Sequence, residues 1–257
     1  MTKKILILFL PIITVFSIIL FGCGRIEPVA EEAAEAEEVE SEEEARVEVK
    51  LQAQEGEVTF TTEDDIKING NIFGSGNRWV ILSHMYPTDQ TSWFDFARYL
   101  ADNGYIVLTY DFRGYGKLGG SQDISNIDKD LEAALDFVKQ YDAEKIFLMG
   151  ASMGGTASLV VASRQTVDGV ISFSSPIEVG SLSAIDKVGN IDAPKLFIAN
   201  RGDGNTAESA NTLFDASPEP KEIEILDGSA HGTFIFEKEP DNADIVKQIV
   251  LDFLNSN

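Results

Sequence analysis

One cysteine and two histidines in 257 residues narrow the chemistry before any motif is read. A lone cysteine cannot close an intramolecular disulfide, so the folded part must be stable on packing alone. A histidine base, if the chain uses one, must be His84 or His231. Basic residues are also scarce. Lys and Arg number 20 against 43 Asp and Glu, a formal net charge of -23. Phosphate backbones need a basic face, so nucleic acid is excluded as an expected partner. No internal repeat appears, and composition does not shift again after Leu51. One domain over residues 51–257 therefore suffices.

Part of the acidity is local. From Glu27 to Glu48 nearly every residue is Glu, Ala or Val, with Arg46 the only base. Like charges in a block repel one another and bury almost nothing, which predicts a solvated spacer over residues 23–50. In front of it, Lys3 and Lys4 precede an apolar run from Ile5 to Phe21, broken only by Pro11, Thr14 and Ser17. A basic start, an apolar middle and small residues at the end describe an export signal. Its last four residues, Leu20-Phe21-Gly22-Cys23, resemble the bacterial lipobox, with Phe21 as a departure from the usual small or aliphatic residue. The resemblance implies a signal peptide over 1–22 and lipidation of Cys23. Acyl chains there would tether the protein to a bacterial membrane on the extracytoplasmic side. The competing reading is an uncleaved anchor, because the run approaches the roughly 18–20 residues that span a bilayer. Cys23, alone in the chain and at the cleavage position, favours the lipoprotein.

Beyond Leu51, apolar runs alternate with helical patterns. Glu57–Thr62 and Ile66–Phe73 read as a hairpin, and Trp79–Ser83, Tyr105–Tyr110 and Ile146–Met149 as buried strands. Val170–Phe173, Leu196–Ala199 and Ile223–Leu226 read as further strands. Helical spacing is predicted over Phe94–Asn103, Ile127–Tyr141, Met153–Arg164, Ala207–Ala216 and Ala243–Leu254. Such alternation predicts an α/β fold, a mainly parallel sheet of about eight strands with helices on both faces. Working groups in such sheets collect at the carboxyl ends of the strands.

Gly150-Ala151-Ser152-Met153-Gly154-Gly155 follows a predicted buried strand and opens a helix, the setting of a nucleophile elbow. Glycines there permit a tight turn and close packing. Downstream come Asn200-Arg201-Gly202-Asp203 after one strand and Asp227-Gly228-Ser229-Ala230-His231-Gly232 after another. Ser83-His84-Met85-Tyr86-Pro87 and Asp111-Phe112-Arg113-Gly114-Tyr115-Gly116 end the earlier strands. From Glu57 onward the chain resembles the α/β-hydrolase superfamily, with these motifs in the family's order. The resemblance implies that fold with little or no cap, since only Ser174–Pro194 separates two successive strands.

It also implies roles. Ser152 is the expected nucleophile, His231 the base and Asp203 the acid, in the order Ser, acid, His. Glu178 and Asp227 compete for the acid position. The backbone N–H groups of Tyr86 and Met153 are the expected oxyanion donors, although Met85 replaces the family's usual glycine. His84 is then a structural or oxyanion-loop residue, and Asp111 and Arg113 brace loops. The expected activity is ester hydrolysis through an acyl-enzyme, with no metal or organic cofactor needed. A small or surface-presented acyl substrate fits an uncapped site. Amide or thioester cleavage, acyl transfer and a non-catalytic binding lipoprotein remain the alternatives.

Overall fold

The computed structural model describes residues 51–257. The expected signal peptide at 1–22 and the spacer at 23–50, with Cys23, lie outside the described residues. The chain opens with strands β1 (Gly56–Thr61), β2 (Lys67–Phe73) and β3 (Arg78–Ser83), then helix α1 (Phe94–Asp102) and β4 (Ile106–Tyr110). Next come α2 (Ile127–Val138), β5 (Lys145–Ala151), α3 (Met153–Ala162) and β6 (Gly169–Phe173). A two-residue pair, β7 (Glu178–Val179) and β8 (Leu182–Ser183), precedes β9 (Lys195–Asn200) and α4 (Thr206–Ala216). Strand β10 (Lys221–Leu226) leads to α5 (Ile235–Lys238) and α6 (Pro240–Ser256).

The main sheet has eight strands in the order β1-β2-β4-β3-β5-β6-β9-β10. Only the β1–β2 and β2–β4 pairings are antiparallel. The central strands β3, β4, β5 and β6 are buried almost throughout, because helices cover both of their faces. Alternate residues of each strand enter different cores. Ile81, Leu108, Leu148 and Phe197 pack with Leu131 of α2, Ala157 of α3 and Leu213 of α4. Val80, Val107, Met149 and Ile198 pack with Leu100 of α1 and Val250 of α6. All ten residues of α3 are buried, which its small and aliphatic composition permits.

The differences from the sequence reading are local. The helix predicted to reach Tyr141 ends at Val138, and Tyr141 turns its ring onto Trp79, 5.3 Å between centroids. The last helix starts at Pro240 rather than Ala243. Proline suits a first helical turn, where its missing N–H has no intrahelical partner to lose. Between β6 and β9 the short hairpin β7–β8 and a single 3-10 turn at Val188–Asn190 occupy the place where one short helix at most was expected. The hairpin packs on α3 and leaves no cap domain. Among the described residues no helix is long and apolar enough to cross a membrane.

Candidate active site

Strand β5 ends at Ala151 and α3 begins at Met153, so the whole change of direction falls on Ser152. Its backbone stands at φ 51° and ψ -120°, a conformation that costs a non-glycine residue on the order of 1–3 kcal/mol. Close packing holds it there. A Cβ on Gly150 would collide with the backbone of Gly154, and one on Gly154 with the carbonyls of Ser83 and His84. The strand therefore runs into its own helix with no room for side chains at those positions. The Ser152 N–H still donates to the Phe173 carbonyl at 2.8 Å, which ties the turn to β6.

The other two residues come from adjacent parallel strands. Leu226 of β10 pairs with Asn200 of β9, so the loops that follow leave the sheet side by side. The Arg201 N–H donates to the Leu226 carbonyl (2.9 Å) and the Gly202 N–H to the Gly228 carbonyl (2.7 Å). From that register His231 Nδ1 meets both carboxylate oxygens of Asp203, at 2.8 and 3.0 Å. With Nδ1 turned to the carboxylate, Nε2 is the ring nitrogen that does not engage it. Thr206 Oγ1 donates to Asp203 Oδ2 at 3.1 Å and fixes the carboxylate in turn. A Cβ on Gly232 would strike Met85 Sδ and lie 3.2 Å from Ala151 Cβ, so the histidine loop rests against the elbow. The competing carboxylates are engaged elsewhere. Asp227 is 91% exposed and paired with Arg201 at 3.0 Å, while Glu178 accepts from Ser183 Oγ at 3.1 Å.

His84 is fully buried. The Phe112 N–H donates to its Nε2 at 3.0 Å, so Nδ1 carries the proton and donates to the Met85 carbonyl, also at 3.0 Å. Burial lowers the ring below the ordinary imidazole pKa, in keeping with the lone pair that Nε2 offers to the Phe112 N–H. The ring thus latches the Met85–Tyr86 segment to the loop after β4. That loop is itself fixed by Arg113, which grips Asp130 and Asp64 at 2.7 and 2.8 Å. Burial pushes Asp130 up to about 6, against the pull of the Arg113 guanidinium. Arg113 hydrogen bonds hold Asp64 well below the carboxylate range. Asp111, named with Arg113 as a brace, accepts instead from the Gln90 N–H and side chain, at 3.0 and 2.8 Å.

The Met153 N–H opens α3 and has no intrahelical acceptor. Among the described residues neither it nor the Tyr86 N–H donates to another backbone carbonyl. A groove of about 490 Å³, bordered by Pro87, Thr88, Tyr115 and Glu237, opens beside the Tyr86 loop. A 650 Å³ concavity between β1 and α2 includes none of the residues above. Neither concavity is lined by Ser152, Asp203 or His231, and of the Tyr86 loop the smaller one borders only the segment that follows Tyr86. Among the described residues no cluster of His, Cys, Asp or Glu could hold a metal ion. One group escaped the sequence reading. Glu239 hydrogen bonds to the backbone of the histidine loop, and an acid in an acid-rich chain carries no pattern that marks it.

The strand order, the turn at Ser152 and the two loops after β9 and β10 give the chain the α/β-hydrolase fold, which solved hydrolase structures share. Residues 77–190 are similar to the family described as serine aminopeptidase, S33. That stretch includes Tyr86, Ser152 and Met153 and ends before Asp203 and His231. An uncharacterized protein of Mycobacterium tuberculosis is 24% identical over 201 residues, covering 68% of this chain and 72% of its own length. A 2-hydroxy-6-oxononadienedioate/2-hydroxy-6-oxononatrienedioate hydrolase of Escherichia coli is 36% identical over 99 residues, 37% of this chain and 34% of its own. Among solved structures, an esterase of Pyrococcus furiosus superposes with a TM-score of 0.69 at 20% identity, over 79% of this chain and 91% of its own.

Proposed function

We propose that this protein is a serine hydrolase that cleaves a carboxylic ester through an acyl-enzyme. The observation that carries the reading is the bond from His231 Nδ1 to Asp203, made at the carboxyl end of the parallel strands, where Ser152 forms the elbow. His231 Nε2 takes the Ser152 hydroxyl proton as Oγ bonds to the substrate carbonyl carbon. The carbonyl oxygen becomes an oxyanion facing the Tyr86 and Met153 N–H groups, each such donor being worth about 10²–10³ in turnover. Collapse expels the alcohol, which takes the proton from His231. Water then attacks the acyl-enzyme with His231 again as base, and the acid leaves with Ser152 restored. Asp203 keeps the proton on Nδ1 and stabilises the imidazolium at each step. The uncapped site supports a small or surface-presented ester.

Fluorophosphonate labelling of the full chain tests the reading, with the modified residue mapped by mass spectrometry. Labelling at Ser152 that Ser152→Ala and His231→Ala both abolish is the expected result. A folded wild type that takes no label would sink the reading and leave a non-catalytic binding protein. The aminopeptidase description of the matching family favours one second reading, amide cleavage. Faster turnover of an aminoacyl amide than of the matched ester would establish it. In the same proposal Cys23 carries acyl chains that hold the enzyme at the outer side of a bacterial membrane. Membrane fractionation of Cys23→Ser cells should find the protein released, and its retention would count against the anchor.

A further inference from the structure

Beside the candidate triad one carboxylate gathers five hydrogen bonds. Glu239 joins α5 to α6 and is half-buried. Its Oε1 accepts from the Ser229 N–H (2.8 Å), the Ala230 N–H (2.9 Å) and Ser229 Oγ (3.4 Å). Its Oε2 accepts from Asn242 Nδ2 (2.9 Å) and Asn200 Nδ2 (3.4 Å). Asn200 also donates to the Ala230 carbonyl at 2.7 Å. A Cβ on Gly228 would collide with Glu239 Oε2, so that glycine and the carboxylate are fitted to each other.

The location of these bonds gives them a task. Backbone bonds from β9 fix the second loop as far as Gly228. Past that residue, Ser229 and Ala230 have left the sheet, and both of their N–H groups end on Glu239. The next residue is His231. On the other side, Asn200 ends the strand that delivers Asp203. The cluster therefore spans the loop of the base and the strand of the acid. We propose that Glu239 is a positioning residue for the reaction, holding Ser229 and Ala230 so that the His231 ring stays in register with Asp203 and the elbow. The inference rests on the hydrolase reading above. The N–H bond from Ser229, followed by the Asn242 amide, holds the carboxyl below its ordinary range, so Glu239 is an anion throughout the neutral region.

Displacing a reacting group by about 1 Å costs on the order of 100-fold in rate. The test therefore compares Glu239→Ala, Glu239→Gln and an unrelated surface variant, Arg164→Ala, which breaks pairs to Asp128 and Glu132. Two quantities are read on the full chain: the rate of fluorophosphonate labelling, and the downfield proton resonance of His231 Nδ1–H. Glu239→Ala should slow labelling about 100-fold and weaken or shift the resonance, at temperatures where the chain is folded. Glu239→Gln keeps one acceptor oxygen and should recover part of both. Arg164→Ala should keep both at the wild-type value even where its thermal midpoint falls as far. Wild-type labelling and an unchanged resonance in Glu239→Ala would overturn the proposal. A wild type that never labels would remove the hydrolase reading, and the resonance alone would then decide whether Glu239 holds the imidazole.

Discussion

The elbow and the histidine loop reach the carboxyl end of the parallel strands by opposite means. Ser152 is held by main chain against main chain, with Gly150 and Gly154 packed where no Cβ fits. His231 is held by side chains, with Glu239, Asn200 and Asn242 tying down a segment that pairs with no strand. The first arrangement is built into the core and cannot yield without disturbing β3, β5 and α3 together. The second rests on a polar cluster at the surface. Ser152 is thus placed by the fold, and His231 by a local adjustment upon it.

Substitutions sharpen that contrast. The largest loss of stability is expected from Gly150→Ala, whose Cβ would meet the Gly154 carbonyl carbon and oxygen and the Gly155 nitrogen. A clash with backbone cannot be relieved by a rotamer, so the cost is about 4 kcal/mol or more, read by urea denaturation. A near-normal midpoint in that variant would show the elbow to be softer than its packing implies. Glu239→Ala leaves the Ser229 and Ala230 N–H groups to water and should cost only about 1–3 kcal/mol by the same measurement. A loss equal to that of Gly150→Ala would erase the distinction between the two regions.

The smallest effect concerns His84, which ties the Met85–Tyr86 segment to the loop after β4. Its folded pKa is depressed by burial, so between the unfolded value of 6.5 and the folded one the unfolded chain binds the extra proton. Stability from this group is present above pH 6.5 and is lost as pH falls below it. His84→Asn removes the titration. The stability gap between wild type and variant should therefore narrow as pH falls from 7 to 5.5. A gap that stays constant would mean that folded His84 takes up a proton freely.

The sheet was legible because its central strands are unbroken apolar runs bounded by glycine and polar turns. Val80–Leu82 and Ile106–Leu108 leave little alternative. Ser152 was marked by its glycines, and the choice of His231 followed from having two histidines and one chain order. The sequence reading of Asp203 as the acid has a structural counterpart in the 2.8 Å contact, while Glu178 and Asp227 are engaged elsewhere. What the sequence hid has a common cause. Two-residue strands such as β7 and β8 show no periodicity. Lys195 would be read as a surface residue, yet it is fully buried, with Nζ donating to the Ile191 and Ala193 carbonyls at 2.9 and 2.8 Å. Glu239 likewise works on main-chain groups about ten residues away. Side chains that satisfy backbone leave no trace in patterning, because their partners are the same at every residue.

The short β7–β8 turn has a further consequence for how this protein could be remodelled. Its two strands bring Val179 and Leu182 side by side on the outer surface of α3, with Gly180 at the tip and Ser181 resting on the Ser125 carbonyl. The ends of any longer segment grafted between them would already be close together. Because the entropic cost of a loop grows only slowly with its length, that tip is the natural address for a grafted lid. Such a segment could be added without touching a strand of the main sheet.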